Sequence, residues 1–355
     1  MIVMRPPRWS LPALVLVAGS VLPIARTDTP PTDGPRATPP HAVLRRADDA
    51  LPGIPATPAV PTGRTTDAAD CGRCHAEIHD EWHGSAHGRA WTDPIYQRTL
   101  DGLEHPERCH GCHVPDSVLG RLGRPPRPRD GDLDAGVTCV ACHQDRSGAI
   151  AGPFGAKTDA HATIAHPAFK EAGSTALCSS CHDLRIGPVL PLARDFEAAG
   201  LADRGKSCIG CHMPRMLRPI AVDPDTGEPT GPERRGRSHA LRGPSDPDFA
   251  ASAFKIAVRA VDERSIELAL GNRAGHRVPG LVGRRFVFDV VQFDASDRRI
   301  TADAVTISDE NLLLVAETRR FPLARRTGCI SVEVRVRHLC GDLDIEIDRR
   351  RHDLR

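Results

Sequence analysis

Residues 71–75 read Cys71-Gly72-Arg73-Cys74-His75. The same Cys-x-x-Cys-His spelling returns at Cys109, Cys112 and His113; at Cys139, Cys142 and His143; at Cys178, Cys181 and His182; and at Cys208, Cys211 and His212. In a chain of 355 residues with 12 cysteines and 17 histidines, chance supplies about 0.02 such matches. Five copies are a selected pattern, and they consume all but two of the cysteines.

The spacing has a chemical reading. Two thiols separated by two residues lie on one edge of a single helical turn, and the imidazole that follows falls beside that edge. This is the attachment site of one haem, whose vinyl groups take the two sulfurs while the histidine ligates the iron. Zinc ribbons and redox dithiols also use Cys-x-x-Cys, but neither needs a histidine after every second cysteine. The expectation is five covalent c-type haems, with His75, His113, His143, His182 and His212 as proximal ligands.

Motif starts are 38, 30, 39 and 30 residues apart, an alternation that suggests a two-motif unit used twice. Only 4% of residues are aromatic, so the macrocycles themselves are expected to form the interior of a mainly α-helical and irregular multihaem domain over residues 67–247. Beyond it the pattern turns to period two: residues 254–260; Ile266, Leu268 and Leu270; Phe286, Phe288 and Val290; and Ile330, Val332, Val334 and Val336. That predicts a small all-β, sandwich-like domain over residues 248–355.

Before the motifs, Arg5 and Arg8 precede an apolar run at residues 11–24, which reads as a secretory signal over residues 1–25. An uncleaved N-terminus associated with a membrane is the alternative. Residues 26–66 read as a Pro-rich linker. Export to the periplasm, or another extracytoplasmic place, is what haem attachment requires. A formal charge of +1 gives no support for nucleic-acid binding. Ten propionates would bring it to about −9 with ferrous haems, so redox proteins are the expected donors and acceptors. Cys329 and Cys340 remain, either as a disulfide or as two free thiols.

Residues 70–91 read as one helix with histidines at 75, 79, 83 and 87. On a straight helix His87 stands about 18 Å beyond His75, too far to cap the same iron. His79 and His83 are expected to face solvent or propionates. Residues 152–167, with His161 and His166, read as a loop folded over a haem.

The first motif followed by Glu81-Trp82, Ser85, His87 and Ala90-Trp91-Thr92-Asp93-Pro94 resembles the opening signature of the multihaem cytochromes c related to the nitrifier electron carrier that serves hydroxylamine oxidoreductase. Cys211-His212-Met213-Pro214, Ser238-His239, and Asn272 with Gly275-His276, Pro279 and Gly280 fit the same group. The last resembles a Gly-His-x-x-Pro-Thr-Gly element that opens a C-terminal β-domain, although the Thr is missing here. The resemblance covers roughly residues 68–295 and implies His87, His161, His239 and His276 as distal ligands, with His105, His110 and His166 in reserve.

It also implies an electron-transfer protein. The alternative is an oxidoreductase acting on a nitrogen or sulfur oxyanion at one open haem. All five motifs end in His rather than the Lys of ammonia-forming nitrite reductases. The one tyrosine, Tyr96, does not match the haem-bonded tyrosine of hydroxylamine oxidoreductases, and no catalytic residue is assigned.

Overall fold

The computed structural model describes residues 67–104, 106–156, 158–183, 191–281 and 283–354. The expected signal, the linker and His105 lie outside the described residues.

The first half is built of short helices joined by turns. They are α1 (Ala68–Cys74), α2 (Ala76–His83), α3 (Pro94–Asp101), α4 (Glu107–His113), α5 (Cys139–His143), α6 (Ser174–His182), α7 (Leu192–Ala198) and α8 (Cys208–His212). Every motif occupies a helix C-terminus, in α1, α4, α5, α6 and α8. Their N-termini are set by ordinary signals: the Asp67 carboxylate accepts from the Ala69 amide before α1, and the Ser207 hydroxyl accepts from the Gly210 amide before α8.

The single helix expected over residues 70–91 is interrupted. His75 leaves helical geometry at φ −106°, ψ 47°, and α2 stops at His83. The break has a local cause. The Cys74 carbonyl accepts from the Val222 amide at 2.7 Å, and the His75 ring bonds the Ile220 carbonyl at 2.7 Å, so distant chain takes the groups a continuing helix would use. Past the helix, Ser85 Oγ accepts from the amides of His87 and Gly88 at 3.1 and 3.2 Å. The chain approaches itself so closely there that a Cβ on Gly88 would lie 2.5 Å from the Trp82 carbonyl oxygen.

Apolar packing in this half is modest: Leu119, Ala151 and Ala168 gather Leu122, Ile164, Phe169 and Leu177 around them. Two small ribbons supplement it. Strands β1 (Ile150–Gly152) and β2 (Thr163–Ala165) pair in parallel, and β3 (Arg215–Arg218) pairs antiparallel with β4 (Arg234–Arg237).

After α9 (Pro247–Ser252) the chain becomes β-structure: β5 (Phe254–Ala260), β6 (Ser265–Asn272), β7 (Arg284–Phe293), β8 (Arg299–Ile307), β9 (Thr318–Ala324), β10 (Ser331–Cys340) and β11 (Leu343–Asp353). They form a three-stranded sheet ordered β5-β6-β9 and a four-stranded sheet ordered β11-β10-β7-β8, antiparallel throughout. Leu268 and Leu270 of one sheet and Phe288, Val290, Val332, Val334 and Val336 of the other are fully buried in one shared core. Each such side chain contributes roughly 1.5–3 kcal/mol of transfer free energy. The register places Phe288 opposite Val336 and Val290 opposite Val334, so the period-two pattern becomes one apolar face.

Cys329 is buried just ahead of β10, and Cys340 is that strand's last residue. A strand of this length holds its ends about 30 Å apart, several times what a disulfide can bridge. The two are separate free thiols.

Candidate haem-binding centre

The motif histidines do not stand alone. His75 faces His161 with ring centroids 6.5 Å apart and planes 44° from parallel. His182 faces His87 at 6.2 Å and 28°, His143 faces His239 at 6.1 Å and 30°, and His212 faces His276 at 6.2 Å and 15°. A metal bound at about 2.0 Å to one nitrogen of each ring would hold two imidazole centroids about 6.2 Å apart. The spacing therefore fits an iron shared by each pair.

Hydrogen bonds fix which nitrogen is free to ligate. Nδ1 of His75, His143 and His212 lies 2.7, 2.7 and 2.6 Å from the carbonyls of Ile220, Ala151 and Arg242. Nδ1 of His239 and His276 lies 3.0 and 2.8 Å from those of Arg237 and Arg277. A carbonyl can only accept, so Nδ1 carries the proton and Nε2 keeps its lone pair. Burial, and then the neighbouring imidazole, pushes the pKa of His87, His182 and His239 down to about 4. Burial also lowers that of His143 and His276. Neutral imidazole is the ligating form.

Spacing alone does not make a ligand pair. His79 and His83 are 6.0 Å apart and nearly parallel, but they are one turn apart on α2. His83 is exposed and His79 lies over Gly72. His166 Nδ1 accepts from the Ala168 amide as a helix cap, and His110 packs edge-on to Trp91. None of the reserve histidines among the described residues enters a facing pair.

The motif at His113 differs from the other four. Its Nδ1 bonds the Ala90 carbonyl at 2.6 Å, yet among the described residues the ring stacked on it is Tyr96, with centroids 3.6 Å apart and planes at 6°. The local sequence positions that tyrosine. Asp93 accepts from the amides of Ile95 and Tyr96, and Pro94 opens α3. The Tyr96 hydroxyl is buried, and among the described residues it has no hydrogen-bond partner. Burial, with Cys109 and Cys112 nearby, raises its pKa. Sequence reading passed Tyr96 over; the signal available was an Asp-Pro helix start directing the only tyrosine toward a motif.

The ten motif cysteines are half-buried except for exposed Cys211. Their contacts order the motifs in space. Cys71 lies beside Cys139, Cys112 beside Cys181, and Cys178 beside Cys208. The first motif therefore lies beside the third, the second beside the fourth, and the fourth also adjoins the fifth.

His276 reaches its partner from the loop between β6 and β7. A Cβ on Gly275 would lie 3.0 Å from Phe196, and one on Gly280 2.9 Å from Leu192. The two glycines let the loop settle against α7. Arg277 closes the contact with a bidentate ion pair to Asp195, at 2.5 and 2.6 Å.

Residues 70–144, which hold the first three motifs, match the family model described as cytochrome c554 and c-prime. No curated protein matches the chain. Among solved structures, a penta-haem cytochrome c552 from Thermochromatium tepidum superimposes with a TM-score of 0.60 at 17% identity, covering 81% of this chain and 99% of that one. A Bordetella pertussis protein described as ApaA overlaps 28% of this chain and 91% of its own, at 9% identity and a TM-score of 0.20, and supports no argument. The segment that carries the first three motifs is therefore similar to the cytochrome c554 and c-prime family, and the chain shares the fold of a penta-haem cytochrome c552.

Proposed function

We propose that the chain is an extracytoplasmic electron relay carrying five covalent haems. The single observation behind this reading is the set of four facing imidazole pairs, each joining a motif histidine to one far away in sequence. Cysteines 71 and 74, 109 and 112, 139 and 142, 178 and 181, and 208 and 211 would hold the haems. The five motif histidines would ligate from one side, and His161, His87, His239 and His276 from the other. An iron held between two imidazoles exchanges one electron with little change in geometry and at a low potential. The protein's part is to keep those rings neutral, oriented by carbonyls and close to the next motif. Adjacent thiols support electron transfer between the first and third, second and fourth, and fourth and fifth motifs.

Redox proteins would be the donors and acceptors, and the N-terminal residues would direct export. Among the described residues no helix is long and apolar enough to cross a membrane. A pyridine haemochrome assay on protein matured with haem-attachment machinery should return five haems per chain, and electron paramagnetic resonance should assign four irons as low-spin. A count of two or fewer would sink the reading.

One observation favours a second activity at the second motif. Among the described residues His113 is stacked by Tyr96 and by no imidazole at ligand-pair spacing, and on this reading a small nitrogen or sulfur oxyanion would bind and be reduced at this haem. The test is challenge of the reduced protein with carbon monoxide and with nitrite. One responding haem in five supports the reading, and none removes it.

A further inference from the structure

His239 and His276 both lie on loops, and in each case a carboxylate from a helix of the first half bonds the backbone beside the ring. Glu81, on α2, accepts the backbone N–H of His239 at 2.7 Å, across 158 residues of sequence. The same oxygen accepts from Arg218 at 2.9 Å, whose side chain is 5% exposed. Arg218 also donates to the Arg237 carbonyl at 2.9 Å, and that carbonyl takes the His239 Nδ1 proton at 3.0 Å. Four groups thus close one circuit around the ring. Asp195, on α7, repeats the arrangement across 82 residues: it accepts the Arg277 backbone N–H at 3.1 Å, while the Arg277 carbonyl accepts from His276 Nδ1 at 2.8 Å.

An ion pair alone would have no need of the amide. Each carboxylate could be satisfied by its arginine, yet each also bonds the peptide N–H at or next to a facing histidine, which fixes the backbone from which the ring projects. Burial raises both carboxylates, but the arginine and the amide outweigh it and hold them below their ordinary range. Two unrelated helices deliver the same device to two unrelated loops.

We infer that Glu81 and Asp195 are positioning residues that fix the backbone at His239 and His276, so that each ring presents Nε2 to His143 and His212. This rests on the reading of His239 and His276 as axial ligands. Neither carboxylate touches a ring, and their action is wholly through the peptide.

The test uses the mature holoprotein with H239A and H276A as references. Electron paramagnetic resonance counts low-spin and high-spin irons, and mass-spectrometric hydrogen exchange follows the peptides holding His239 and His276. H239A should convert one iron to high spin. E81A should convert part of that same signal and speed exchange at the His239 amide about tenfold, the worth of one charge-assisted hydrogen bond. E81Q, which keeps an oxygen acceptor, should recover most of the low-spin signal. D195A, D195N and H276A should repeat, at the other pair, the behaviour of E81A, E81Q and H239A in turn. If H239A frees an iron while E81A leaves every iron low-spin and exchange unchanged, Glu81 is only a structural ion pair and the inference fails. If H239A frees none, the ligand reading fails first and takes the inference with it. Should E81A not mature, D195A is read against H276A in its place, and unchanged exchange at the His276 peptide with every iron low-spin overturns the inference.

Discussion

His276 faces His212 across 6.2 Å with ring planes 15° apart, and the two come from opposite halves of the chain. One histidine ends helix α8, and the other sits where the β-structure begins its second strand pair. This pair and the Asp195–Arg277 ion pair both cross the boundary that composition suggested near residue 247.

Replacing His276 should therefore have two effects. H276A is expected to convert one iron in five to high spin and to lower the thermal midpoint of the whole protein, because the β-half loses an anchor on the first half. Resonance spectra and calorimetry on the same sample check both. A spectrum with all low-spin signals intact would rule His276 out as a ligand.

Tyr96 stacks on His113 with its hydroxyl buried and, among the described residues, unpartnered. Y96F removes an oxygen that makes no hydrogen bond, so stability should stay within about 1 kcal/mol of the parent. The four low-spin signals should also be unchanged. Ligand binding at the second motif should change, seen as a shift in the carbon monoxide or nitrite affinity of one haem.

Acid should weaken the structure through Glu81 and Asp195. Both have folded pKa values below their ordinary 4.5 and 3.8, so they bind fewer protons when folded than when unfolded. Their stabilisation is complete above about pH 5 and is lost as pH falls through the lower folded values. E81Q or D195N should cost about 2 kcal/mol at pH 7. The gap from the parent should close below about pH 4, which denaturant titrations at several pH values will measure. A gap that stayed constant with pH would remove the electrostatic explanation.

Gly136 supports His87 from behind. It has φ +58°, and a Cβ there would lie 2.5 Å from the His87 carbonyl oxygen and 2.8 Å from that of Gly88. The next residue, Val137, donates its amide to the His87 carbonyl at 2.9 Å and accepts from the Trp82 indole at 2.7 Å. G136A is expected to cost about 1–3 kcal/mol in strain and to loosen the His87–His182 pair, producing a partial high-spin signal. A fully low-spin G136A protein of parental stability would contradict this.

The attachment motifs were legible because covalent chemistry fixes residue types at fixed spacing. The four facing histidines were reached through resemblance, since nothing local in His161 or His239 marks the motif it meets. The strands with alternating apolar residues, β5, β6, β7 and β10, were readable. Strands β8, β9 and β11 were not singled out: β11 alternates at Leu343, Ile345 and Ile347, but Arg349, Arg350 and Arg351 then interrupt the apolar face. At the edge of its sheet a strand tolerates such charges, and pairing with β10 carries β11 on to Asp353. The break at His75 was not legible because Val222, far downstream, takes the Cys74 carbonyl that an unbroken helix would have kept.

The four imidazole pairs interleave along the chain: 75 with 161, 87 with 182, 143 with 239, and 212 with 276. Each begins before the previous one has closed. No scission between residues 75 and 276 can leave all four intact within separate pieces, so this stretch resembles a woven cord rather than beads on a string. A growing chain can complete its first crossing only after residue 161 has emerged and its last only after residue 276. Until then, each of these four histidines waits on polypeptide that has not yet arrived.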